Sequence, residues 1–561
     1  MLIRTFLLVV SWLNCMLALP PTSEAQSLVH TWSHHFGDPS YQFARSVATD
    51  FLGNVIITGE FQGTTNFGGG PLTSAGHYDI FLAKFDAAGN HLWSQRFGDA
   101  SVQVAQGVST DAWGNVIVTG GFASTVDFGG GPLTSAGAGD MFVAKFDAAG
   151  NHVWSRRFGD SATQNGYSVA TDGAGNVVVT GEFAGTVDLG GGGLTTAGST
   201  DILLASFDAA GNHLWSQRFG DTDIEHPRGV TTDGAGNVIV AGRFRGNVDF
   251  GGGPLASASA GTFDIFVAKF DAAGNHVWSQ RFGDAAQHYA QGVAVDDSAN
   301  VILTGYFQSD VDFGGGVLTS AGDFDAYVAK FDAAGNHVWS QRFGDAGEQY
   351  AYGIAADGSG NLAVTGYYRS SVDFGGGPMT SAGLDDIFVA RFDGSGNHLW
   401  SQRFGDGLHQ ESYGVATDSL GNVLVTGHID GTVDFGGGGL ASAGNFDIFL
   451  AKYSNATATG IGDEQSRVPT TYKLDQNFPN PFNPTTTIRY ELPEQTTLFL
   501  AVYDVRGARV RDLVDGTKPA GTHDAVWDGR NTSGDVVASG IYYCRMRAGT
   551  VIRTRKLVFL K

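Results

Sequence analysis

Asp325-Ala-Tyr-Val-Ala-Lys-Phe-Asp-Ala-Ala-Gly-Asn-His-Val-Trp-Ser-Gln-Arg-Phe-Gly-Asp345 contains two alternating apolar runs joined by an Asp-x-x-Gly-Asn turn. The stretch decides the fold because it recurs. Trp-Ser-x-x-Phe-Gly-Asp begins at Trp32, Trp93, Trp154, Trp215, Trp278, Trp339 and Trp400, at intervals of 61 residues with a single interval of 63. An Asp that opens an alternating run recurs at Asp79, Asp140, Asp201, Asp264, Asp325, Asp386 and Asp447, and the two extra residues precede Asp264 in Ala-Ser-Ala-Ser-Ala-Gly261. One short loop insertion accounts for the irregular interval.

Working outward from that hairpin, each repeat holds four strand-like runs, for example 292–296, 300–307, 325–332 and 336–343; they are strands a, b, c and d. The a-to-b and c-to-d joints read Asp-x-x-Gly-Asn in most copies, with Asp accepting backbone N–H bonds and Gly supplying a positive φ. The b-to-c joint is longer and Gly-rich, as in Val126-Asp-Phe-Gly-Gly-Gly-Pro-Leu-Thr-Ser-Ala-Gly137. A four-stranded sheet of this kind cannot bury both faces alone, and seven stacked radially give a seven-bladed β-propeller. The chain ends favour a closed ring over an open solenoid. Leu28–Phe36 is a lone d strand and the last repeat stops after its c strand at Tyr453, so pairing the two removes both exposed edges.

Asp-Ile-Phe-x-Ala-Lys-Phe-Asp followed by Gly-Asn-His-x-Trp-Ser, together with Gly-Asn-Val-x-x-Thr-Gly, resembles the SBBP family of seven-bladed propeller repeats over about residues 28–453. The resemblance implies a bacterial exported propeller and brings no general catalytic site with it.

Composition agrees with an all-β chain. Of 561 residues 83 are Gly, only 16% are charged and 42% are hydrophobic, a turn-rich profile that excludes disorder. The net charge of -23 is uneven: residues 454–561 carry 14 Lys and Arg against 11 Asp and Glu, and residues 1–453 carry 19 against 45. Nucleic acid is excluded as a partner because nothing offsets phosphate repulsion over the acidic part. The first 25 residues have the parts of an export signal, namely Arg4, an apolar stretch from Phe6 to Leu19 and the cleavage site Ser23-Glu24-Ala25. No later stretch reaches 18 apolar residues, so no transmembrane span is expected in the mature chain. With Cys15 in the signal, Cys544 is left alone, which rules out an intramolecular disulfide.

From 454 to 473 the sequence reads as a linker, and residues 474–561 as a small immunoglobulin-like β-sandwich with strand-like runs at 498–505, 523–527, 540–547 and 551–559. Gln476-Asn-Phe-Pro-Asn-Pro-Phe-Asn-Pro484, Val502-Tyr-Asp-Val-Arg-Gly507, Trp527-Asp-Gly-Arg530, Ser539-Gly-Ile-Tyr-Tyr543 and Lys556-Leu-Val-Phe-Leu-Lys561 resemble the type A sorting domain of the type IX secretion system. That resemblance implies the outer-membrane secretion machinery of a Gram-negative bacterium as partner, and a secreted or cell-surface location. On charge alone the last 17 residues, with six basic side chains and no acid, equally read as a solvated edge hairpin.

No zinc-protease, nucleophile-elbow, phosphate-loop or EF-hand motif occurs, and no cofactor or metal is expected. The triglycines read as tight turns. His91, His152, His213, His276, His337 and His398 fall on different blades, too far apart to share an ion, and are expected at the surface. The turn aspartates offer too few oxygens for calcium. Lys84 and its counterparts Lys145, Lys269, Lys330, Arg391 and Lys452 point to ion pairs within or between blades, with Ser206 breaking the series.

Positions that vary between blades carry the functional signal. Just before strand a the column reads Arg45, Gln106, Tyr167, Arg228, Gln291, Tyr352, Tyr413, and in strand b it reads Glu60, Gly121, Glu182, Arg243, Tyr306, Tyr367, His428. Both belong to one mouth of the central channel, opposite the hairpin turns, which are expected to be nearly alike. Arg45, Tyr167, Arg228, Arg243, Tyr306, Tyr352, Tyr367, Tyr413 and His428 are therefore candidate ligand-binding residues for a carbohydrate or protein ligand. Unconstrained solvent-facing variation is the competing explanation. The leading functional expectation is a non-enzymatic binding or adhesion module. The alternatives are a polysaccharide- or peptide-acting enzyme using Glu60 and Glu182, and a structural surface-layer component.

Overall fold

The computed structural model describes residues 28–454, 472–474, 477, 480, 482, 484–504, 508–548 and 551–560. The expected export signal, residues 1–25, and residues 455–471 of the expected linker lie outside the described residues, and two compact units divide the chain between 459 and 460.

In the first unit strand a (Gln42–Thr49), strand b (Val55–Phe61), strand c (Asp79–Phe85) and strand d (His91–Phe97) form an antiparallel sheet in that order. Five more sheets repeat it, beginning at Gln103, Gln164, Glu225, His288 and Gln349. Strands b and c are buried at every residue in the first sheet because neighbouring sheets cover both faces, whereas strand d is mostly only partly buried and is the outermost. The seventh sheet combines Gln410–Thr417, Val423–Ile429 and Asp447–Ser454 with Val29–Phe36, which pairs antiparallel with Asp447–Ser454 as strand d. Strand a of each sheet packs on strand a of the next, and the seventh on the first. Hydroxyls bridge these inner strands: Thr110 Oγ1 donates to the Thr49 carbonyl and Thr49 Oγ1 to the Thr417 carbonyl, at 2.8 and 2.9 Å.

Asp closes the hairpin turns. Asp50 Oδ1 accepts from the Leu52 and Asn54 amides while Gly53 takes φ 75°. Asp50 Oδ2 also meets the Lys84 ammonium at 2.9 Å, both side chains being buried. Lys84 and Trp93 Nε1 donate to one acceptor, the Ala148 carbonyl of the next sheet's c-to-d turn, each at 3.2 Å. Gly150 in that turn has φ 86°, and a Cβ there would stand 2.9 Å from the Trp93 ring. The basic series is thus an ion pair inside six sheets and, at its five lysines, a hydrogen bond to the next sheet; Ser206 supplies neither in the third.

Two expectations need correction. The Gly-rich b-to-c connection is a two-stranded hairpin, Thr125–Asp127 with Pro132–Thr134 in the second sheet. Its glycine tip lies on the imidazole that opens strand d: a Cβ at Gly130 would stand 2.3 Å from His152 Cε1. The histidines are accordingly half-buried supports, each donating to or accepting from a Ser three residues on (His152 to Ser155, 3.0 Å), and His30 is a seventh member. The far end of the ring is also less uniform than its turns suggest, because Leu52, Trp113 and Leu420 are exposed on three consecutive sheets.

The second unit packs a three-stranded sheet (Lys473–Leu474, Thr486–Leu492, Gly521–Trp527) and a four-stranded one (Arg509–Lys518, Thr496–Asp504, Gly540–Ala548, Val551–Phe559) about Trp527, Ile488, Leu500, Met546 and Phe559. Ser454 and Lys473, placed in the linker by sequence, are strand residues, and Thr486–Leu492 and Arg509–Lys518 are strands that composition concealed. Cys544 is buried, and burial pushes its thiol up to about 12. The described residues contain no helix long and apolar enough to cross a membrane.

A buried Gln opens strand a in most sheets: Gln42 Nε2 donates to Asp38 Oδ1 and to the Gln62 carbonyl, at 2.7 and 3.0 Å. The fourth sheet has Glu225 there, buried with both oxygens lacking a hydrogen-bond partner among the described residues. Burial, then Asp201 and Asp221, raises its carboxyl from 4.5 to about 9. The folded chain therefore keeps a proton that the unfolded chain releases, so this group's contribution is full below about pH 4.5 and is lost as pH rises through about 9. Glu225→Gln should raise the melting temperature at pH 8 by more than at pH 5, measured by calorimetry at both values.

Candidate functional site

Strand a bears a β-bulge in every sheet. The pairing with strand b slips between Ala44 and Ser46, and at the equivalent step in the other six sheets. The residue left over is Arg45, Gln106, Tyr167, Arg228, Gln291, Tyr352 or Tyr413. The first variable column thus lies inside strand a and not before it: strand a of the fifth sheet runs His288–Val295, around Gln291. The extra residue breaks the two-residue alternation, which made the first half of the strand read as loop.

Seven of the nine candidates, Arg45, Tyr167, Arg228, Arg243, Tyr306, Tyr352 and Tyr413, line one channel cavity of about 270 Å³ with Gln106 and Gln291. A second cavity continues along the same bulge residues and the strand a residues that follow them. Tyr367 and His428 stand behind this lining. Tyr367 stacks on Tyr352 at 5.5 Å, and His428 is 3% exposed, wedged against Phe446 and Phe43. Burial, then the Arg45 charge, lowers His428 to about 3, so it is neutral at physiological pH.

In four sheets the bulge residue engages the strand b residue fifteen positions on. Arg45 Nε donates to Glu60 Oε1 at 2.9 Å, Tyr167 to Glu182 at 2.6 Å, and Gln291 to the Tyr306 hydroxyl at 3.0 Å; the Tyr352 and Tyr367 hydroxyls are 3.4 Å apart. Burial pushes Glu60 up against the pull of Arg45. Burial also acts upward on Glu182, but hydrogen bonds from His226 and Tyr167 outweigh it and hold the carboxyl below its usual range. Burial raises Tyr167, Tyr352 and Tyr413, leaving them neutral donors. The two glutamates considered for catalysis are each committed to a partner.

A third varied column escaped sequence reading because it sits in the hidden half of strand a: Phe43, Val104, Asn165, His226, Tyr289, Tyr350, Glu411. Its signal was the same repeat interval, two residues ahead of the bulge. Tyr350 meets Tyr306 edge-on at 4.7 Å, and Arg243 lies over Tyr289 at 4.6 Å and Phe263 at 4.8 Å. Glu411 accepts from Tyr413 and forms with Asp385 and His409 a group whose ligand atoms lie within 4.8 Å of one another. Arg369 Nε already donates to Asp385 at 2.6 Å.

Among known families, the β-propeller repeat matches residues 399–433 and the FlgD Ig-like domain residues 482–550. An uncharacterized WD repeat-containing protein of Acanthamoeba polyphaga mimivirus is 23% identical over 71% of this chain and 36% of its own length. The chain is a β-propeller repeat protein. The regulatory protein FlaEY of Caulobacter vibrioides is 29% identical over 29% of the propeller chain and 18% of its own length, so the chain spans little more than a third of one relative and under a fifth of the other. Among solved structures, a quinohemoprotein alcohol dehydrogenase from Comamonas testosteroni gives a TM-score of 0.40 at 12% identity, over 81% of this chain and 80% of its own. Sqt1 from Chaetomium thermophilum gives 0.37 at 10% identity, over 75% and 87%.

The propeller's two kinds of channel arginine should separate on mutation. Arg45→Met leaves the buried Glu60 without its partner and should cost about 3 kcal/mol at pH 7, and less at pH 5, because burial already favours the protonated carboxyl. Arg243→Met removes a guanidinium that has no acidic partner and should leave stability unchanged or raised. Denaturant titrations of both variants at the two pH values check this.

Proposed function

We propose that the protein is an exported, non-enzymatic binding module whose ligand enters the channel mouth, and that the C-terminal domain directs it through the type IX system to the cell surface or the medium. One observation carries the binding reading. Seven bulges aim seven side chains of three kinds, arginine, tyrosine and glutamine, at a single cavity of the propeller, while the residues that hold the sheets together repeat around the ring. A scaffold alone needs no such asymmetry, and convergent polar groups beside aromatic faces are what a small-molecule or glycan site requires. The commitment of Glu60 to Arg45, and of Glu182 to His226 and Tyr167, favours binding over hydrolysis. Export is supported by the signal-like residues 1–25 and by the sorting-domain motifs, which fall in the unit that matches the FlgD Ig-like domain.

On a glycan and peptide array the full chain should retain a defined ligand class without turning it over. Tyr352→Ala combined with Tyr413→Ala should weaken that binding at least tenfold, stacking being worth roughly 0.5 to 2 kcal/mol per ring. Trp113→Ser combined with Leu420→Ser, at the opposite end of the ring, should leave it unchanged. Release of cleaved product from the array would replace the binding reading with the enzymatic one.

A chain ending at Ser454 should fold yet stay in the periplasm of a host with type IX secretion. Cell fractionation reads this out, and efficient appearance of the shortened protein in the medium would refute the sorting role.

A further inference from the structure

The fourth sheet departs from the pairing of the others. Its bulge residue is Arg228 and its strand b partner is Arg243, so the two positions that in four other sheets form an ion pair or hydrogen bond, as in Arg45 with Glu60, here carry like charges. Neither guanidinium makes a hydrogen bond or an ion pair with any described residue, and the Nε of each is shielded from solvent without a partner. Their neighbours are aromatic faces: Tyr167 beneath Arg228 at 5.0 Å, Tyr289 and Phe263 beneath Arg243 at 4.6 and 4.8 Å. The nearby Glu182 is held by His226 and Tyr167, and Arg245, just past the end of the Arg243 strand, has its own acid, Asp223, at 3.4 Å. Burial and the Arg228 charge both act to lower Arg243, which describes a cation lacking its counter-charge. Half-buried guanidiniums without a carboxylate are costly unless something anionic completes them.

Resting on the binding role argued above, we infer that Arg228 and Arg243 form the anion subsite of the channel and receive the carboxylate of a uronic acid residue in an acidic glycan. The planar guanidinium fork matches a carboxylate through paired N–H bonds. The choice of a sugar over a peptide follows from the rest of the lining: tyrosine hydroxyls and the amides of Gln106 and Gln291 surround about 270 Å³, room for about one ring bearing hydroxyls and without an apolar recess for a side chain. The acidic surroundings of the propeller confine attraction to this spot, because Arg45 across the ring is neutralised by Glu60.

Calorimetric titration of the full chain with trigalacturonate, its methyl ester and a triglutamate peptide tests the assignment. At 150 mM NaCl the acid should bind at least tenfold more tightly than the ester, and the peptide more weakly than the acid. Arg228→Met and Arg243→Met should each abolish the preference for acid over ester without lowering the melting temperature, and Arg243→Lys should restore part of it. Equal binding of acid and ester, with both still sensitive to Tyr352→Ala, would overturn the anion subsite and leave the channel-mouth reading standing. Tighter binding of the peptide would overturn the glycan assignment, and absence of binding by all three probes would overturn the inference altogether. Should the array meanwhile identify a neutral ligand that Tyr352→Ala weakens, the binding role survives that outcome.

Discussion

Six of the seven junctions of the propeller rest on one carbonyl in the first half of a c-to-d turn. Ala148 O receives the indole of Trp93 and the ammonium of Lys84 from the preceding sheet, while Gly150 makes room for the indole. Lys84 is in turn fixed by Asp50, so one buried ion pair connects a sheet's own first turn to its neighbour's second. Such a pair contributes position more than net stability, and position is what a ring needs. The same contact closes the circle, where Trp32 and Lys452, more than four hundred residues apart, both reach the Ala87 carbonyl. Removing the indole or the ammonium at a junction that has both leaves buried groups unpaired and loosens two sheets at once.

With the sheets fixed from outside, the inner strand is free to differ. The bulge is the device that uses this freedom, since it turns one side chain per sheet toward the axis without disturbing the threonine bonds farther along strand a. Seven side chains of three kinds then meet, and several pair first with their own sheet: arginine with glutamate, tyrosine with glutamate, glutamine with tyrosine. The fourth sheet, with two arginines, is left with an excess of positive charge, and the fifth to seventh carry the stacked tyrosines. Charge and aromatic surface are thereby separated around one mouth.

Much of this was legible in the chain. The interval of 61 residues, the Asp-x-x-Gly-Asn turns and the d-strand tryptophans name the sheets and their edges, because each reports a local requirement: an aspartate to accept turn amides, a glycine at positive φ, a ring to cover the next turn. The second unit was half legible. Arg509–Lys518 is a strand whose charged residues hide its alternation, and it is stabilised by pairing with Thr496–Asp504 rather than by its own composition.

Sequence by itself determined the all-β class, the repeat, and two of the three columns that vary, for these follow from periodicities within one chain. Only the tertiary structure decided what the columns do. A bulge cannot be seen without the partner strand that defines the slip, so the third column around Phe43, His226 and Tyr350 stayed hidden. Nor could spacing tell that His428 is walled in by Phe43 and Phe446 while Arg228 and Arg243 face the cavity unpaired. Burial and pairing are properties of what surrounds a side chain, and in a closed ring the surroundings come from the neighbouring sheets, up to the whole length of the repeat array away.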